Sequence, residues 1–304
     1  NLTKIYGNVY AANNVNMSIR QGEIFGFIGL NGAGKTTTIR MLLGLVSPTS
    51  GECYLMGKKV NPKNIDIWHD VGYIVETPYS YPELTVKANL EIVRRLRGIR
   101  DRGAVDWIIR ELKLGDYRNR KVKHLSLGNV QRLGIAKAII HRPKILILDE
   151  PTNGLDPAGI VEVLYLLKNL VKSLGVTILI SSHKLDEISR IATNIAIIHY
   201  GRLIKEIDGN QLENQLEKTL IIDGRDKENM RAVLSRAGYG EYVENDDLTD
   251  KLLPLQIRNK YAVDNPEKIA TLLVNAGYPP TLLKVEKEDL EEYFLRTIGL
   301  MGEN

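Results

Sequence analysis

The sequence predicts an α/β fold in which helices cover a parallel β-sheet. Three short apolar runs, each bounded by turn-forming or charged residues, have the character of buried strands: Ile24–Gly29, Ile145–Leu148 and Thr177–Ser181. Helical patterns lie between these runs, over Thr36–Leu45, Leu84–Arg97 and Gly159–Leu174. Buried strands that alternate with helices are typical of parallel sheets, because the crossover helices cover the faces of the sheet.

Two further regions are predicted around this core. Residues 66–141 show mostly helical patterns without continuous apolar strands, so we expect a helical insertion at about residues 77–143. Composition shifts near Gly209, where a polar helical stretch begins. We therefore expect a main domain over residues 1–210 and a small α+β accessory domain over residues 211–304.

The accessory domain contains two similar segments. MRAVLSRAGY (Met230–Tyr239) and IATLLVNAGY (Ile269–Tyr278) share a helical pattern that ends in Ala-Gly-Tyr. Each segment follows an apolar run, Leu220–Ile222 or Leu253–Ile257, and precedes strand-like sequence. Two successive β-α-β units predict a ferredoxin-like sandwich. The alternative is a coincidence between two ordinary helices that end at glycine.

Composition limits the classes of function. Hydrophobic residues make up 43% and charged residues 26% of the 304 residues, as in ordinary soluble globular proteins. The net charge of +4 is spread along the chain, so no nucleic-acid partner is expected. No apolar run reaches the roughly 18 residues that a membrane-spanning helix needs. Cys53, the one cysteine, cannot form an intrachain disulfide and is predicted to be a buried apolar residue.

The segment Gly29–Thr36 fits the pattern G-x-x-x-x-G-K-[ST] between a predicted strand and a predicted helix. Its glycines let backbone N–H groups turn towards phosphate oxygens, and the helix N-terminus adds its dipole. In this motif Lys35 reaches the β- and γ-phosphates, and the Thr36 hydroxyl ligates Mg²⁺. We therefore expect Mg-ATP to bind here. A plain glycine-rich turn is the alternative, and the flanking strand and helix argue against it.

Two other strand ends carry residues suited to hydrolysis. Asp149 and Glu150 follow Ile145–Leu148, and ligands of doubly wound folds bind at such carboxyl ends. We expect Asp149 to hold Mg²⁺, directly or through water, and Glu150 to polarise the attacking water. His183 follows the third run and can donate a hydrogen bond to the γ-phosphate. Each of these residues alone would be read as structural, and their place beside the phosphate loop favours catalysis.

These motifs, in this order, resemble the nucleotide-binding subunit of ABC (ATP-binding cassette) transporters. The deciding feature is Leu125–Gln131 (LSLGNVQ), which lies upstream of Asp149. It is similar to the family signature LSGGQ, with Leu127 in place of the first glycine and Gln131 in the position of the extended form LSxGxxQ. The resemblance covers about residues 1–210 and implies the ABC cassette variant of the P-loop NTPase fold.

The resemblance also implies roles for individual residues. Tyr6 matches the aromatic residue that stacks on adenine, with a surface tyrosine in a β-turn as the alternative reading. Ser126 and Gly128 would contact the γ-phosphate held by an opposite subunit. Asp156 ends the segment Asn153–Asp156, which resembles the D-loop that crosses to the partner, and His183 matches the switch histidine. The Walker A loop supplies the remaining nucleotide contacts: Gly29, Leu30, Asn31, Gly32, Ala33, Gly34, Lys35, Thr36 and Thr37.

In this family each ATP site is completed by two subunits stacked head to tail. The chain carries one Walker A motif and one signature, so the resemblance implies a homodimer or a pair with a homologous subunit. It further implies an ATPase that drives an exporter of an antimicrobial peptide or drug. Such an ATPase is peripheral on the cytoplasmic face of the cell membrane and binds separate transmembrane permease subunits.

Two other functions are alternatives to transport. A soluble ABC ATPase acting on ribosomes or DNA is disfavoured by the single cassette and by the lack of heptads and Cys-x-x-Cys motifs. A catalytically dead binding module is disfavoured because Lys35, Glu150 and His183 occur together.

Glu76 departs from the family pattern. It follows Val71–Val75 at a position where the family usually has Gln, which links Mg²⁺ and the γ-phosphate to the membrane subunit. A Glu can still ligate Mg²⁺ or act as a base, but it adds negative charge near the γ-phosphate. Glu76 and the LSLGxxQR signature resemble the bacitracin-export and lantibiotic-immunity branch. The alternative is a tolerated change without functional consequence.

Overall fold

The computed structural model describes residues 1–61, 63–244 and 253–300. The chain divides into two compact units, Asn1–Leu212 and Glu213–Asn304. The strands of the first unit are β1 (Leu2–Tyr6), β2 (Val9–Val15), β3 (Ile24–Ile28), β4 (Tyr54–Leu55), β5 (Lys58–Lys59), β6 (Val71–Ile74), β7 (Ile145–Asp149), β8 (Thr177–Ser182), β9 (Asn194–His199) and β10 (Arg202–Asp208). Its helices are α1 (Lys35–Leu42), α2 (Val86–Leu96), α3 (Ala104–Glu111), α4 (Leu127–Ile139), α5 (Pro157–Leu174) and α6 (Leu185–Ser189).

The central sheet of the first unit has the strand order β10-β9-β3-β8-β7-β6. Strands β3, β6, β7, β8 and β9 run parallel, and β10 pairs antiparallel with β9. All residues of β3 and β8 are buried, which explains their continuous apolar character. Because the strands are parallel, the carboxyl ends of β3, β7 and β8 meet at one edge, with Asp149 opposite Ser181 in the register.

Strand β6 lies within residues 66–141, where mostly helical patterns without continuous apolar strands were expected. It is a parallel edge strand beside β7, and its sequence VGYI contains a glycine and an exposed tyrosine. A Cβ on Gly72 would lie 2.0 Å from the Ala138 carbonyl oxygen, so helix α4 approaches this strand closely. Strand β6 is short and has one exposed side chain, so its sequence does not form a continuous apolar run.

The remaining strands and helices of the first unit surround this sheet. Helices α2, α3 and α4 lie in the region predicted as the helical insertion, and Thr85 caps α2 by accepting a hydrogen bond from Ala88 N at 3.1 Å. Strands β1 and β2 form an antiparallel hairpin that the apolar runs did not indicate. Cys53 is buried as predicted, and burial raises the pKa of its thiol to about 11. Within the described residues, no helix combines the length and apolar character needed to cross a bilayer.

The second unit is an α+β sandwich. After α7 (Leu212–Gln215), which begins at the boundary, its elements are β11 (Lys218–Gly224), α8 (Lys227–Leu234), β12 (Val243–Glu244), β13 (Leu255–Ile257), α9 (Lys260–Asp264), α10 (Pro266–Asn275), β14 (Pro280–Lys287) and α11 (Leu290–Thr297). The sheet order is β12-β13-β11-β14, with antiparallel pairing throughout. Apart from the additional helices α9 and α11, the described elements from β11 onwards follow the order β-α-β-β-α-β.

Candidate functional site

The phosphate loop joins β3 to α1. Gly34 caps α1 with a φ of 106°, and an added Cβ would lie 2.2 Å from the Ala11 carbonyl oxygen, so only glycine fits. Gly34 has no side chain that could cap the helix, and the first turn of α1 contains no acidic residue. The backbone N–H groups and the positive end of the helix dipole are therefore available to an anion such as a phosphate.

Lys35 lies over the loop rather than in solvent. Its side chain is 6% exposed, and Nζ donates to the carbonyl oxygens of Gly29 at 2.6 Å and Leu30 at 3.3 Å. The same ammonium group lies 3.0 Å from Oε1 of Glu150 at the end of β7. The loop and the adjacent strand end thus hold this cation in place, in a position that suits the negative oxygens of a bound phosphate chain.

Asp149 is buried at the end of β7 and binds two hydroxyl groups. Thr36 Oγ1 donates to its Oδ2 at 2.8 Å, and Ser181 Oγ donates to its Oδ1 at 2.6 Å. Ser181 in turn accepts a hydrogen bond from Glu150 N at 3.0 Å. The first turn of α1 and the ends of β7 and β8 are therefore joined through one carboxylate.

The carboxylate of Glu150 contacts two other side chains, those of Lys35 and His183. Oε1 contacts Lys35, and Oε2 lies 2.9 Å from Nδ1 of His183. Its backbone has a φ of 49°, in the left-handed region that a non-glycine residue adopts at an energetic cost. This turn directs the Glu150 carboxylate towards Lys35 and His183 while Asp149 points to Thr36.

The signature and D-loop residues lie elsewhere and have local partners. Ser126 caps α4, accepting hydrogen bonds from Asn129 N at 3.4 Å and Asn129 Nδ2 at 3.0 Å. Gly128 faces open space, since an added Cβ would meet no atom within 4 Å. Asp156 caps α5 by accepting a hydrogen bond from Gly159 N at 3.1 Å. A capping role therefore explains Asp156 within one chain, in addition to the contact across subunits that the resemblance implies.

Tyr6 and Glu76 also lie apart from the cluster of Lys35, Asp149 and His183. The Tyr6 ring is about half exposed at the end of β1, with Lys4 Nζ 5.0 Å from its centroid. Glu76 pairs with Arg40 of α1, and its side chain is 65% exposed. Among the described contacts, neither residue binds Thr36, Asp149 or Glu150. Glu76 therefore pairs with Arg40 rather than with the residues expected to hold Mg²⁺.

Comparisons with known proteins identify the family. A model of the ABC transporter family matches residues 12–153. The bacitracin transport ATP-binding protein BcrA of Bacillus licheniformis is 39% identical over 298 residues, 98% of this chain and 95% of that protein. The chain belongs to the ABC transporter family of ATP-binding proteins. The lantibiotic transport ATP-binding protein SrtF of Streptococcus pyogenes is 41% identical over 228 residues, 74% of this chain and 97% of SrtF.

Solved cassettes confirm the predicted fold. The ATP-binding cassette MJ0796, in a dimeric post-hydrolysis state bound to ADP and Pi, has a TM-score of 0.61 and 27% identity, covering 68% of this chain and 96% of that one. The protein cbiO1 from Clostridium perfringens, part of the ABC transporter complex cbiONQ, has a TM-score of 0.65 and 26% identity, covering 78% and 93%. The protein is therefore an ABC ATPase that binds and hydrolyses ATP.

One residue of this ABC ATPase site was missed from the sequence. Ser181 lies within the predicted strand run, but no role was expected for it. Its hydroxyl bridges Asp149 and the Glu150 backbone. The parallel register of β7 and β8 places Ser181 opposite Asp149, and only the strand order could have indicated this contact.

Proposed function

We propose that this ABC ATPase drives an exporter of an antimicrobial peptide or drug and works with separate transmembrane permease subunits. It acts on the cytoplasmic face of the cell membrane. The similarity to BcrA over 98% of the chain supports this proposal, because it includes the second unit as well as the cassette. The same similarity disfavours a soluble ABC ATPase that acts on ribosomes or DNA.

The donor set of the site fits Mg²⁺ held together with ATP. Among the described residues, no group of three His, Cys, Asp or Glu side chains could hold a metal ion by itself. Thr36 and Asp149 offer two oxygen ligands, and Mg²⁺ commonly takes one or two protein oxygens and completes its shell with phosphate and water. When bound, the ion would neutralise charge on the phosphate oxygens.

Glu150 is proposed as the general base of the reaction. Its carboxylate orients the attacking water and accepts a proton from it, while His183 holds the carboxylate from one side. Lys35 contacts the same carboxylate, and its transfer to the β- and γ-phosphates would free Oε1 for the water. The loop Gly29–Thr36 holds the phosphates in line with this base.

The functional unit is proposed to be a head-to-tail dimer. The amino terminus of α4, with Ser126 and an open Gly128, can present N–H groups to a phosphate bound by another subunit. Asp156 from the partner subunit would complete the site, and Tyr6 would lie beside the adenine. The dimeric state of MJ0796 supports this arrangement for a related cassette.

A transport experiment tests the proposal. The chain would be purified from membranes in mild detergent, and the membrane protein that co-purifies would be co-expressed with it in a sensitive bacterium. The minimal inhibitory concentration of bacitracin or a lantibiotic should rise several-fold, and Lys35→Ala should abolish the rise while the exposed control Lys59→Ala retains it. Sedimentation of the chain with ribosomes, without any membrane partner, would show that the transport assignment is wrong.

Glu76→Gln should reduce transport for each ATP hydrolysed. The substitution removes a charge and releases Arg40. We expect the ratio of transport to hydrolysis to fall by about fivefold, the factor that corresponds to about 1 kcal/mol. The matched control is Glu83→Gln, since Glu83 is equally exposed at 66% and is also ion-paired, to Lys121 and Lys123. Equal hydrolysis and transport rates in both variants would reduce Glu76 to a neutral substitution.

A further inference from the structure

A buried carboxylate outside the residues discussed so far lies behind the catalytic groups. Glu187 of α6 is only 4% exposed, and its two oxygens bind different segments of the chain. Thr152 Oγ1 donates to Oε2 at 2.7 Å, and Lys184 Nζ lies 2.9 Å from Oε1. A buried carboxylate is costly unless it is paired, so each of these contacts contributes to keeping Glu187 in place.

Both partners of Glu187 are close in sequence to catalytic groups. Thr152 is two residues after Glu150, in the segment Pro151–Asp156, and Lys184 directly follows His183. Thr152 is itself 4% exposed, so its hydroxyl has little access to water as an alternative partner. Glu187 therefore connects the segment after the base to the loop that carries the switch histidine.

The helix that carries Glu187 is firmly seated. An added Cβ on Gly26 of β3 would lie 2.4 Å from Ile188 Cγ2, so α6 packs directly against the strand that leads into the phosphate loop. Leu185 and Ile188 are buried on the same short helix. Glu187 is thus held in place between the segment that follows Glu150 and the segment that carries His183.

We propose that Glu187 is a positioning residue that keeps the carboxylate of Glu150 and the imidazole of His183 in fixed relative positions during turnover. It acts through Thr152 on one side and Lys184 on the other. The inference rests on the proposed roles of Glu150 and His183. Its expected signature is a loss in kcat with little change in ATP affinity, because the phosphate-binding loop keeps its own contacts.

Three single variants separate the two contacts. Glu187→Gln keeps an acceptor for Thr152 but loses the charge that holds Lys184; Thr152→Val removes only the hydroxyl; and Lys184→Met removes only the ammonium group. We expect kcat to fall by about tenfold in Glu187→Gln, with KM for ATP within about twofold of wild type. Lys184 is about half exposed, so Lys184→Met should fold normally and should show part of the kcat loss.

The decisive measurement is a double-mutant cycle with His183→Ala. If Glu187 acts through the Glu150–His183 pair, Glu187→Gln should cost about tenfold in the wild-type background and almost nothing in the His183→Ala background. Equal losses in both backgrounds, or an unchanged kcat in Glu187→Gln, would overturn the proposal. Absence of ATPase activity in the wild-type chain would instead contradict the proposed function.

A matched control distinguishes positioning from general stability. Glu288 in the second unit is also a largely buried carboxylate, and it pairs with Arg296 at 2.8 Å. Glu288→Gln should lower the thermal unfolding temperature while leaving kcat unchanged. A kcat loss that tracks the unfolding temperature equally in the Glu187 and Glu288 variants would show that Glu187 has only a structural role.

Discussion

Glu150→Gln should lower ATP turnover by about two to four orders of magnitude while ATP binding is preserved. The amide has the shape of the carboxylate and can still accept a hydrogen bond from His183 or Lys35, but it cannot take a proton from water. Hydrolysis ends the ATP-bound state, so the variant should accumulate as an ATP-bound dimer. Size-exclusion chromatography with Mg-ATP would detect the dimer, and phosphate release would give the rate.

The control for this experiment is Glu162→Gln, which changes an exposed, ion-paired glutamate on α5. It should retain wild-type turnover and form no trapped dimer. Loss of one negative charge beside Lys35 could also strengthen phosphate binding, so ATP affinity of Glu150→Gln should equal or exceed that of wild type. A Glu150→Gln protein that stays monomeric with ATP and hydrolyses it at full rate would refute the proposed mechanism.

Three buried strands of the central sheet could be predicted from the sequence. Strands β3, β7 and β8 have continuous apolar runs because both faces of a parallel sheet are covered. The hairpin β1–β2 has polar residues and partial exposure, so its sequence does not form such a run. Strand β6 was not predicted for a similar reason, because it is an edge strand with one exposed position. Strand β9 was not predicted either, although Ile195–Ile198 are buried and the strand lies between β3 and β10, so burial alone did not make every strand detectable.

In the candidate site, contacts between neighbouring residues could be predicted from the sequence more readily than contacts between distant ones. The phosphate loop is contiguous, so its residues are recognisable from spacing alone. The contact between Thr36 and Asp149 joins residues 113 positions apart, and it could be expected only from the meeting of parallel strand ends. Ser181 and Glu187 belong to no motif that sequence reasoning used, and only the packing of β8 and α6 brings them to the site.

For Glu76, the sequence shows the departure from the family pattern, but it does not show which side chain pairs with this carboxylate. Arg40 lies one turn beyond Thr36 on α1, and the end of β6 brings Glu76 beside it. A contact between a helix and an edge strand depends on strand order, and β6 had not been predicted. The structure therefore adds Arg40 to any account of how Glu76 acts.

Asp149→Asn should remove the dependence of ATP binding on Mg²⁺. The carboxylate supplies the charged oxygen of the proposed metal site, whereas a neutral amide is a poor ligand for a divalent cation. Wild-type protein should bind a fluorescent ATP analogue more tightly with Mg²⁺ than with EDTA, and the variant should bind it equally in both. Its hydrolysis should fall by at least about a hundredfold, because charge on the phosphates is no longer neutralised.

Ser181→Ala is the matched control for Asp149→Asn, because it removes a hydrogen bond to the same carboxylate but keeps the charge. It should retain the dependence on Mg²⁺ and lose activity by only several-fold, in line with about 1 kcal/mol for one hydrogen bond. The opposite pattern, with dependence on Mg²⁺ kept in Asp149→Asn and lost in Ser181→Ala, would exclude Asp149 as a metal ligand. Asp149 would then serve only to join Thr36 to β8.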